Sequence, residues 1–414
     1  MPPSKGLTGD DILNGLLDRH ESPRERVRDV THRIDYNRVG GPAEQDSLHR
    51  VLRDAERAGG IRLEEDRFGR FTGEIARIRL IDADALYRFL NRQPSAGLAE
   101  TARHRIASSC PEIVREAFFE TILSEAAAAW AINRRFLDLG PSDSDGLIEI
   151  FRLTHGIVHW AGRDIDHRTF SRRTVGDSKA LERYEGRVAA LLRRWNPAAP
   201  DLESREVLQV HGIVRRAHPL FLRGPVSVTS DTIRLEGSGV PFVGLPWPTV
   251  QSATLHSPVD YTIIIENPTS FWRYCMEVEG RYLALLSDGF PARDVLTGIV
   301  HLVRVAQPAP LFHWGDIDAG GLRIAKHLED ACGVPLRLHD MGPELALEWG
   351  TPLKSRRGLE QLANRGGDIG ALAQWLQSSD GQALEQEQLD PHAPTWRRHD
   401  WAAKNEVSDK AEDA

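Results

Sequence analysis

Apolar and polar positions over the first hundred residues fall into two helical stripes and then a pleated stretch. Ile12, Leu13, Leu16 and Leu17 follow Thr8-Gly9-Asp10-Asp11 at helical spacing, which predicts a short capped amphipathic helix. Leu48, Val51, Leu52 and Ala55 share one face of a second helix, running from Ser47 to the Gly59-Gly60 stop. Ile61 to Asp66 and Phe71 to Ile81 then predict strands on either side of Arg67-Phe68-Gly69-Arg70. Farther on, Val114, Ala117, Phe118, Ile122, Ala126, Ala129, Trp130 and Ile132 make a broad apolar face. That face predicts one helix over Ile113 to Leu139, ended by Gly140-Pro141. Two more helices are predicted over Gly146 to Trp160 and Leu181 to Trp195.

From Tyr261 the period changes. Tyr261-Thr262-Ile263-Ile264-Ile265 is a continuous run of the kind buried on both faces of a parallel sheet. Leu311 to Gly315 and Val334 to Leu338 read the same way. Between them, Arg293 to Val305 turns Val295, Leu296, Ile299, Val300 and Val303 inward, and Gly321 to Cys332 reads as a crossover helix. Strand–helix–strand spacing of this kind implies a parallel α/β unit. Pro225 to Glu236 reads as a strand pair leading into the sheet, and the pattern after Pro352 is helical, including Gln382 to Glu387. The fold class is therefore α/β, α+β overall. It divides into a winged-helix-like module over 1–100, a helical arm over 101–215 and an α/β domain over 216–414.

Composition narrows the setting. A chain of 414 residues has room for two or three domains, each with its own core. Apolar content of 41% and charged content of 27% are ordinary for a globular protein. The net charge of −8 and pI near 6.1 exclude a basic, chromatin-like protein. DNA binding would have to use local patches against an overall repulsion, and so would be salt-sensitive. That suits a chain delivered to DNA by a partner. Cys110, Cys275 and Cys332 are too few and scattered for a disulfide framework or a zinc site, which points to a reducing cytoplasm. The charged opening stretch has no signal-peptide pattern, and no apolar run reaches the ~18 residues of a membrane span. Ala403 to Ala414 is polar and expected to fray.

The chemistry gathers at strand ends. In Leu311-Phe312-His313-Trp314-Gly315-Asp316-Ile317-Asp318-Ala319-Gly320-Gly321, two aspartates stand at i and i+2. On an extended segment they point the same way. Gly320 and Gly321 allow a close backbone approach, and the next helix aims its positive end at the same place. Glu266 leaves the other buried run just before Pro268. Carboxylates this close repel unless a cation lies between them, and hard oxygens suit Mg²⁺ or Mn²⁺. The alternative is a polar loop whose aspartates cap the helix. His313 reads as packed beside Trp314, and Asp288 as a turn residue able to support the site.

Basic residues cluster in Arg163 to Lys179, where Arg168, Arg172, Arg173 and Lys179 are candidates for phosphate contacts. The alternative is a solvated loop paired with Asp164, Asp166 and Asp177. Gly176-Asp177-Ser178-Lys179 lacks the preceding glycine of a P-loop, because position 171 is Ser, so ATP binding is excluded. Arg67 and Arg70 are further DNA-contact candidates, with protein–protein contact as the alternative. Lys354, with Arg356 and Arg357, is a small basic patch fit to neutralise a phosphate. Tyr36, flanked by Arg33 and Arg38, is either a phosphotyrosyl nucleophile or a half-buried loop residue. Glu385 and Glu387, two apart on a helix, would not share a face, so one of them at most reaches the acids, and Glu387 is the choice.

A glutamate after a first strand and an Asp-x-Asp after a later one resemble the Toprim domain of topoisomerases, primases and certain nucleases. Ile264-Ile265-Glu266-Asn267, Asp288-Gly289-Phe290-Pro291, Trp314 to Gly321, Leu384-Glu385-Gln386-Glu387 and Gly176-Asp177-Ser178-Lys179 narrow the likeness. Together they resemble the JetD family, the nuclease subunits of Wadjet plasmid-defence systems, which also contain an SMC-type motor. The resemblance implies a Toprim-like C-terminal domain, related in fold to the A subunit of type IIB topoisomerases. It implies Glu266, Asp316 and Asp318 around Mg²⁺ or Mn²⁺. It also implies endonucleolytic cleavage of closed circular plasmid DNA beside SMC- and kleisin-type partners. Cutting both strands calls for a homodimer. A type IIB topoisomerase-like subunit using Tyr36, and a non-catalytic DNA clamp, are the rival readings.

Overall fold

The computed structural model describes residues 6–22, 30–65, 75–196, 202–215, 218–229, 234–236 and 240–395. Arg67, Arg70 and the 403–414 tail lie outside the described residues. The chain divides into two compact units, Met1–His155 and Gly156–Ala414, with the cut inside the segment read as a helical arm.

In the first unit, helix Gly9–Glu21 begins at Thr8, whose side chain accepts the Asp11 N–H while Asp11 accepts the Thr8 N–H. This reciprocal cap is the one the sequence implies. Helix Pro42–Arg57 starts earlier than the predicted Ser47, because Pro42 supplies a helical φ at the first position. Strands Thr31–His32, Ile75–Leu80 and Ile61–Glu65 form an antiparallel sheet in that spatial order. Ile12, Leu16, Leu52, Ile61 and Ile78 meet in one core. The long helix predicted over 113–139 is instead Pro111–Val114 followed by Ala117–Ala131. Asn133 turns into the left-handed region at φ 54° and ends it, and Trp130 Nε1 donates to the Leu139 carbonyl across the turn. An unpredicted helix, Ser95–Ser109, buries Ala99, Ala102 and Ile106, and with one large apolar residue on that face the stripe is weak.

One buried carboxylate ties this unit together. Glu21, 7% exposed, accepts from the Tyr87 hydroxyl at 2.6 Å, the Ser95 N–H and hydroxyl at 2.7 Å each, and Arg92 at 3.0 Å. Burial pushes its pKa up, but the hydrogen bonds from Tyr87 and Ser95 and the charge of Arg92 win, and the net shift is downward.

In the second unit, the basic stretch expected as a loop is ordered. Ile165–Asp166 pairs with Ile213–Val214, and His167–Val175 is a helix. Asp166 accepts the Arg168 and Thr169 N–H groups at its start, and Gly176 at φ 81° ends it. Helix Ala180–Trp195 follows, close to its predicted bounds. The core is a six-stranded sheet: β1 (Leu220–Arg223), β2 (Val243–Leu245), β3 (Tyr261–Ile265), β4 (Tyr282–Leu286), β5 (Leu311–Trp314) and β6 (Leu336–Leu338), in spatial order β6-β5-β3-β4-β1-β2. β3 is parallel to β4 and β5, and β5 to β6, while β1 and β2 add an antiparallel edge. Every residue of β3, β4 and β5 is buried, as a β-branched and aliphatic run in a parallel sheet requires. Helices α1 (Pro268–Glu277), α2 (Arg293–Val305) and α3 (Ala319–Cys332) connect the strands. The strand pair expected to lead into this sheet does not. Val226–Thr229 and Arg234–Glu236 join Thr254–Leu255 in a separate small sheet. Gln382–Glu387 is not helical either. Gln382–Ala383 is extended, and a 3-10 turn covers Gln386–Gln388. No helix among the described residues is long and apolar enough to cross a membrane.

Replacing Glu21 by Ala is expected to destabilise the first unit by about 2–3 kcal/mol at neutral pH, since it leaves charge-assisted donors unpaired. The folded pKa lies below the ordinary carboxylate value, so this stabilisation is present above that value and fades as pH falls through the folded one. Urea midpoints of native and Glu21→Ala chains at neutral and acid pH test this. A difference that stayed constant on acidification would rule out the charged clamp.

Candidate functional site

β3 and β5 lie side by side and in register, Ile265 opposite Trp314, so the residues that follow them emerge at one sheet edge. Glu266 follows β3, and its N–H donates to the Trp314 carbonyl at 2.9 Å. Its own carbonyl accepts the Gly289 N–H at 3.1 Å. After β5 the chain stays extended. Ile317 is 1% exposed and points inward, so Asp316 and Asp318 on either side share the outer face. The Asp316 N–H reaches Glu266 Oε2 at 3.4 Å. Gly315 makes room for that carboxylate, because a Cβ there would sit 2.4 Å from Glu266 Oε2. A Cβ at Gly321 would sit 2.1 Å from the Asp316 carbonyl oxygen, so the glycine admits the backbone carrying the first aspartate.

Asp318 also caps α3, accepting the Gly321 N–H at 2.8 Å. Capping and a place in the acid cluster are therefore not exclusive. Asp316 Oδ1 accepts the Gln386 N–H at 2.7 Å. The Leu384-Glu385-Gln386-Glu387 string reaches the site as an extended clasp. Ile317 and Leu384 exchange backbone hydrogen bonds at 2.8 and 3.2 Å, and the Gln386 side-chain oxygen accepts the Asn267 N–H at 3.0 Å. Gln386 is 1% exposed. Glu387 accepts from the Asn267 side chain at 2.7 Å. Off a helix, Glu385 and Glu387 both bring negative charge to bear on Asp316.

The electrostatics are those of an acidic cluster short of positive charge. Burial, then the charges of Asp316 and Asp318, push Glu266 up to about 8. Burial pushes Asp316 up to about 6. The Gln386 N–H opposes this, while Glu385, Asp318 and Glu387 add to it. Such a set of hard oxygens fits a divalent cation of the Mg²⁺ or Mn²⁺ type. The three carboxylates do not form a closed cage. Among the described residues, the groups whose ligand atoms all lie within 4.8 Å of one another do not include them. Asp316 and Asp318 each turn one oxygen to a backbone amide instead.

The cluster opens on a cleft of about 830 Å³. Its wall carries Asp318, Gly320 and Glu385 with Glu185, Glu203 and Glu206, and also Arg205, Arg215, Arg323, Lys354 and Arg357. Arg168 lies in a neighbouring hollow that shares Glu185 and Arg215 with the cleft, and pairs with Glu182 at 2.8 Å. Arg172 and Arg173 are exposed on the same helix, and Lys179 is exposed at the start of the next. Arg356 is committed to the Leu376 and Ser378 carbonyls. Asp288 pairs with His218 at 3.3 Å, and its neighbour Gly289 donates to the Glu266 carbonyl. His313 is fully buried, and burial pushes it down to about 4, which holds it neutral. In the first unit, the Tyr36 hydroxyl accepts the Ile75 N–H at 3.0 Å and bonds His49 at 2.8 Å, the setting of a structural tyrosine.

Comparison with known proteins bears on the same residues. Residues 225–393 match the family described as Wadjet protein JetD, C-terminal, a span that holds Glu266, Asp316, Asp318 and Gln386. Residues 48–193 match an uncharacterised bacterial N-terminal family, DUF3322. The chain is a JetD-type protein. It is similar to the Wadjet protein JetD of Bacillus cereus (strain Q1), at 28% identity over 171 residues, which is 40% of this chain and 41% of that relative. The alignment thus spans under half of either protein. The JetD-type match contains every acidic residue of the cluster and its clasp.

Two features escaped sequence reasoning. Gln386 reaches Asp316 through its backbone N–H, which leaves no mark on residue type. Arg323 stands three positions after Gly320, on the same face of α3, and that spacing was a legible signal. Gly321→Ala is expected to destabilise the second unit by about 1–3 kcal/mol, since the Asp316 backbone must move. Gly320→Ala, whose Cβ would meet only the Asp318 side chain, nearest at 3.0 Å, should be milder. Equal melting temperatures for the two variants would refute the close approach.

Proposed function

We propose that this chain is a component of Wadjet plasmid defence and acts there as a divalent-metal-dependent endodeoxyribonuclease. The observation that carries the reading is the pairing of Glu266, Asp316 and Asp318 at neighbouring strand tips, beside a cleft that Arg323, Lys354 and Arg357 help to line. Glu266, Asp316 and Asp318 would hold Mg²⁺ or Mn²⁺, with Glu387 at the margin. The bound ion supplies Lewis acidity at the scissile phosphate and a more acidic water. In this reading Glu266 also serves as the general base, its carboxylate kept ionised by the bound cation. Arg323, Lys354 and Arg357 would position the phosphate backbone at the acids, and Arg168, Arg172, Arg173 and Lys179 would extend the track.

The substrate in this reading is closed circular plasmid DNA in the cytoplasm, presented by an SMC- and kleisin-type motor. Two copies of the chain would cut the two strands. The second unit would carry the Toprim-like chemistry. The helix, strand, helix and antiparallel pair of the first unit would serve as a winged-helix docking module, its Arg67 and Arg70 included. A net charge of −8 makes isolated binding weak and leaves delivery to the motor.

The test uses the chain with its motor subunits and closed plasmid in Mg²⁺ or Mn²⁺. Conversion to linear DNA is expected. Glu266→Gln and Asp316→Asn should each slow it by roughly 10²-fold or more while DNA retention persists. Lys354→Ala with Arg357→Ala should weaken retention and flatten its salt dependence by about two phosphate contacts. Undiminished cleavage by Glu266→Gln would sink the carboxylate assignment.

A further inference from the structure

At the tip of β6, next to the strand that carries the aspartates, lies a second group of ligand-type side chains. His339 and Asp340 directly follow β6, and His392 comes from the chain beyond the Gln386 clasp. One ring nitrogen of each histidine and a carboxylate oxygen of Asp340 lie within 4.8 Å of one another. Both imidazoles aim at the same oxygen: His339 Nε2 stands 3.2 Å and His392 Nε2 3.0 Å from Asp340 Oδ2.

The backbone is arranged to hold this convergence. Asp340 adopts φ 51°, a left-handed conformation that aspartate tolerates better than most residues. The His339 N–H donates to the His313 carbonyl at 2.8 Å, extending the β5–β6 pairing by one residue. The His339 ring is 5% exposed and packs edge-on against Trp314 at 5.9 Å. The two imidazole rings stand nearly perpendicular, with centroids 5.0 Å apart. His392 is 58% exposed on its side chain, so the group is open to solvent on one side.

We propose that His339, Asp340 and His392 bind a single transition-metal dication of the zinc class. Two imidazoles and one carboxylate on one open-sided cluster match the donor set of three-ligand zinc sites, which leave a position for water. The softer nitrogen donors separate this ion from the all-oxygen cluster at Glu266, Asp316 and Asp318. The site does not depend on the nuclease reading. Its role is positional: the ion fastens the chain around His392 to the tip of β6, six residues beyond Gln386. Arg273 grips the same stretch, at the Leu389 carbonyl at 3.3 Å and Asp390 at 2.7 Å. Without the ion, His339 Nε2 donates to the His392 carbonyl at 3.0 Å, and His392 pairs with Asp340. Metal binding replaces those contacts with ligand bonds, and the His339 ring proton moves from Nε2 to Nδ1.

The full chain, stripped with a chelator, is titrated with Zn²⁺ against a competing chromophoric chelator in excess Mg²⁺, and its melting temperature is followed. One zinc per chain and a raised melting temperature are expected. His392→Ala should weaken that binding by roughly 100-fold or more. Asp340→Asn, which keeps the left-handed backbone, should do the same. Glu266→Gln should leave it intact. Zinc held equally by native, His392→Ala and Asp340→Asn chains overturns the proposal, as does zinc lost only in Glu266→Gln. Absence of retained zinc in the native chain also overturns it, and leaves a hydrogen-bonded His-Asp-His network.

Discussion

The acidic cluster depends on a restraint against its own repulsion. Glu266 and Asp316 stand on neighbouring strand tips, close enough for the Asp316 amide to reach the Glu266 carboxylate. Left alone, such charges drive the tips apart. Gln386 opposes this from both sides at once, giving its N–H to the Asp316 carboxylate and accepting the Asn267 N–H on its side chain. The Ile317–Leu384 pairing anchors the same segment. A buried, neutral amide does this well, because it adds no charge to a place that already has too much of one sign. The restraint is also what lets glycines at 315 and 321 be useful, since they admit groups that something else must hold in place.

Charge is distributed unevenly around this centre. The chain as a whole is acidic, yet the cleft beside Asp318 gathers several guanidinium and ammonium groups. A phosphate polymer approaching from a distance meets repulsion, and one already in the cleft meets attraction. Such a surface favours a ligand handed over at short range over one captured from solution.

Much of the core was readable in advance, for a physical reason. A strand buried on both faces favours apolar side chains, so Tyr261 to Ile265 and Leu311 to Trp314 stand out despite Thr262 and His313, and the first carboxylate after each marks the sheet edge. Inward Ile317 between two aspartates follows the pleat. Where packing relies on caps instead of apolar stripes, the pattern is silent. His167–Val175 forms a helix around little more than Phe170, started by Asp166 and ended by Gly176. The residue types of Gln382 to Glu387 favour helix, while the partners that hold the segment extended lie across the sheet. The aspartate that caps α3 shows why two explanations of one residue need not compete.

The clasp has a consequence for synthesis. Gln386 lies 119 residues after Asn267, the amide it engages. During translation the sheet strands and their acids leave the ribosome well before the segment that restrains them. A nascent chain therefore carries an unassembled acidic site, and any reactivity housed there is withheld until that late segment has emerged and docked.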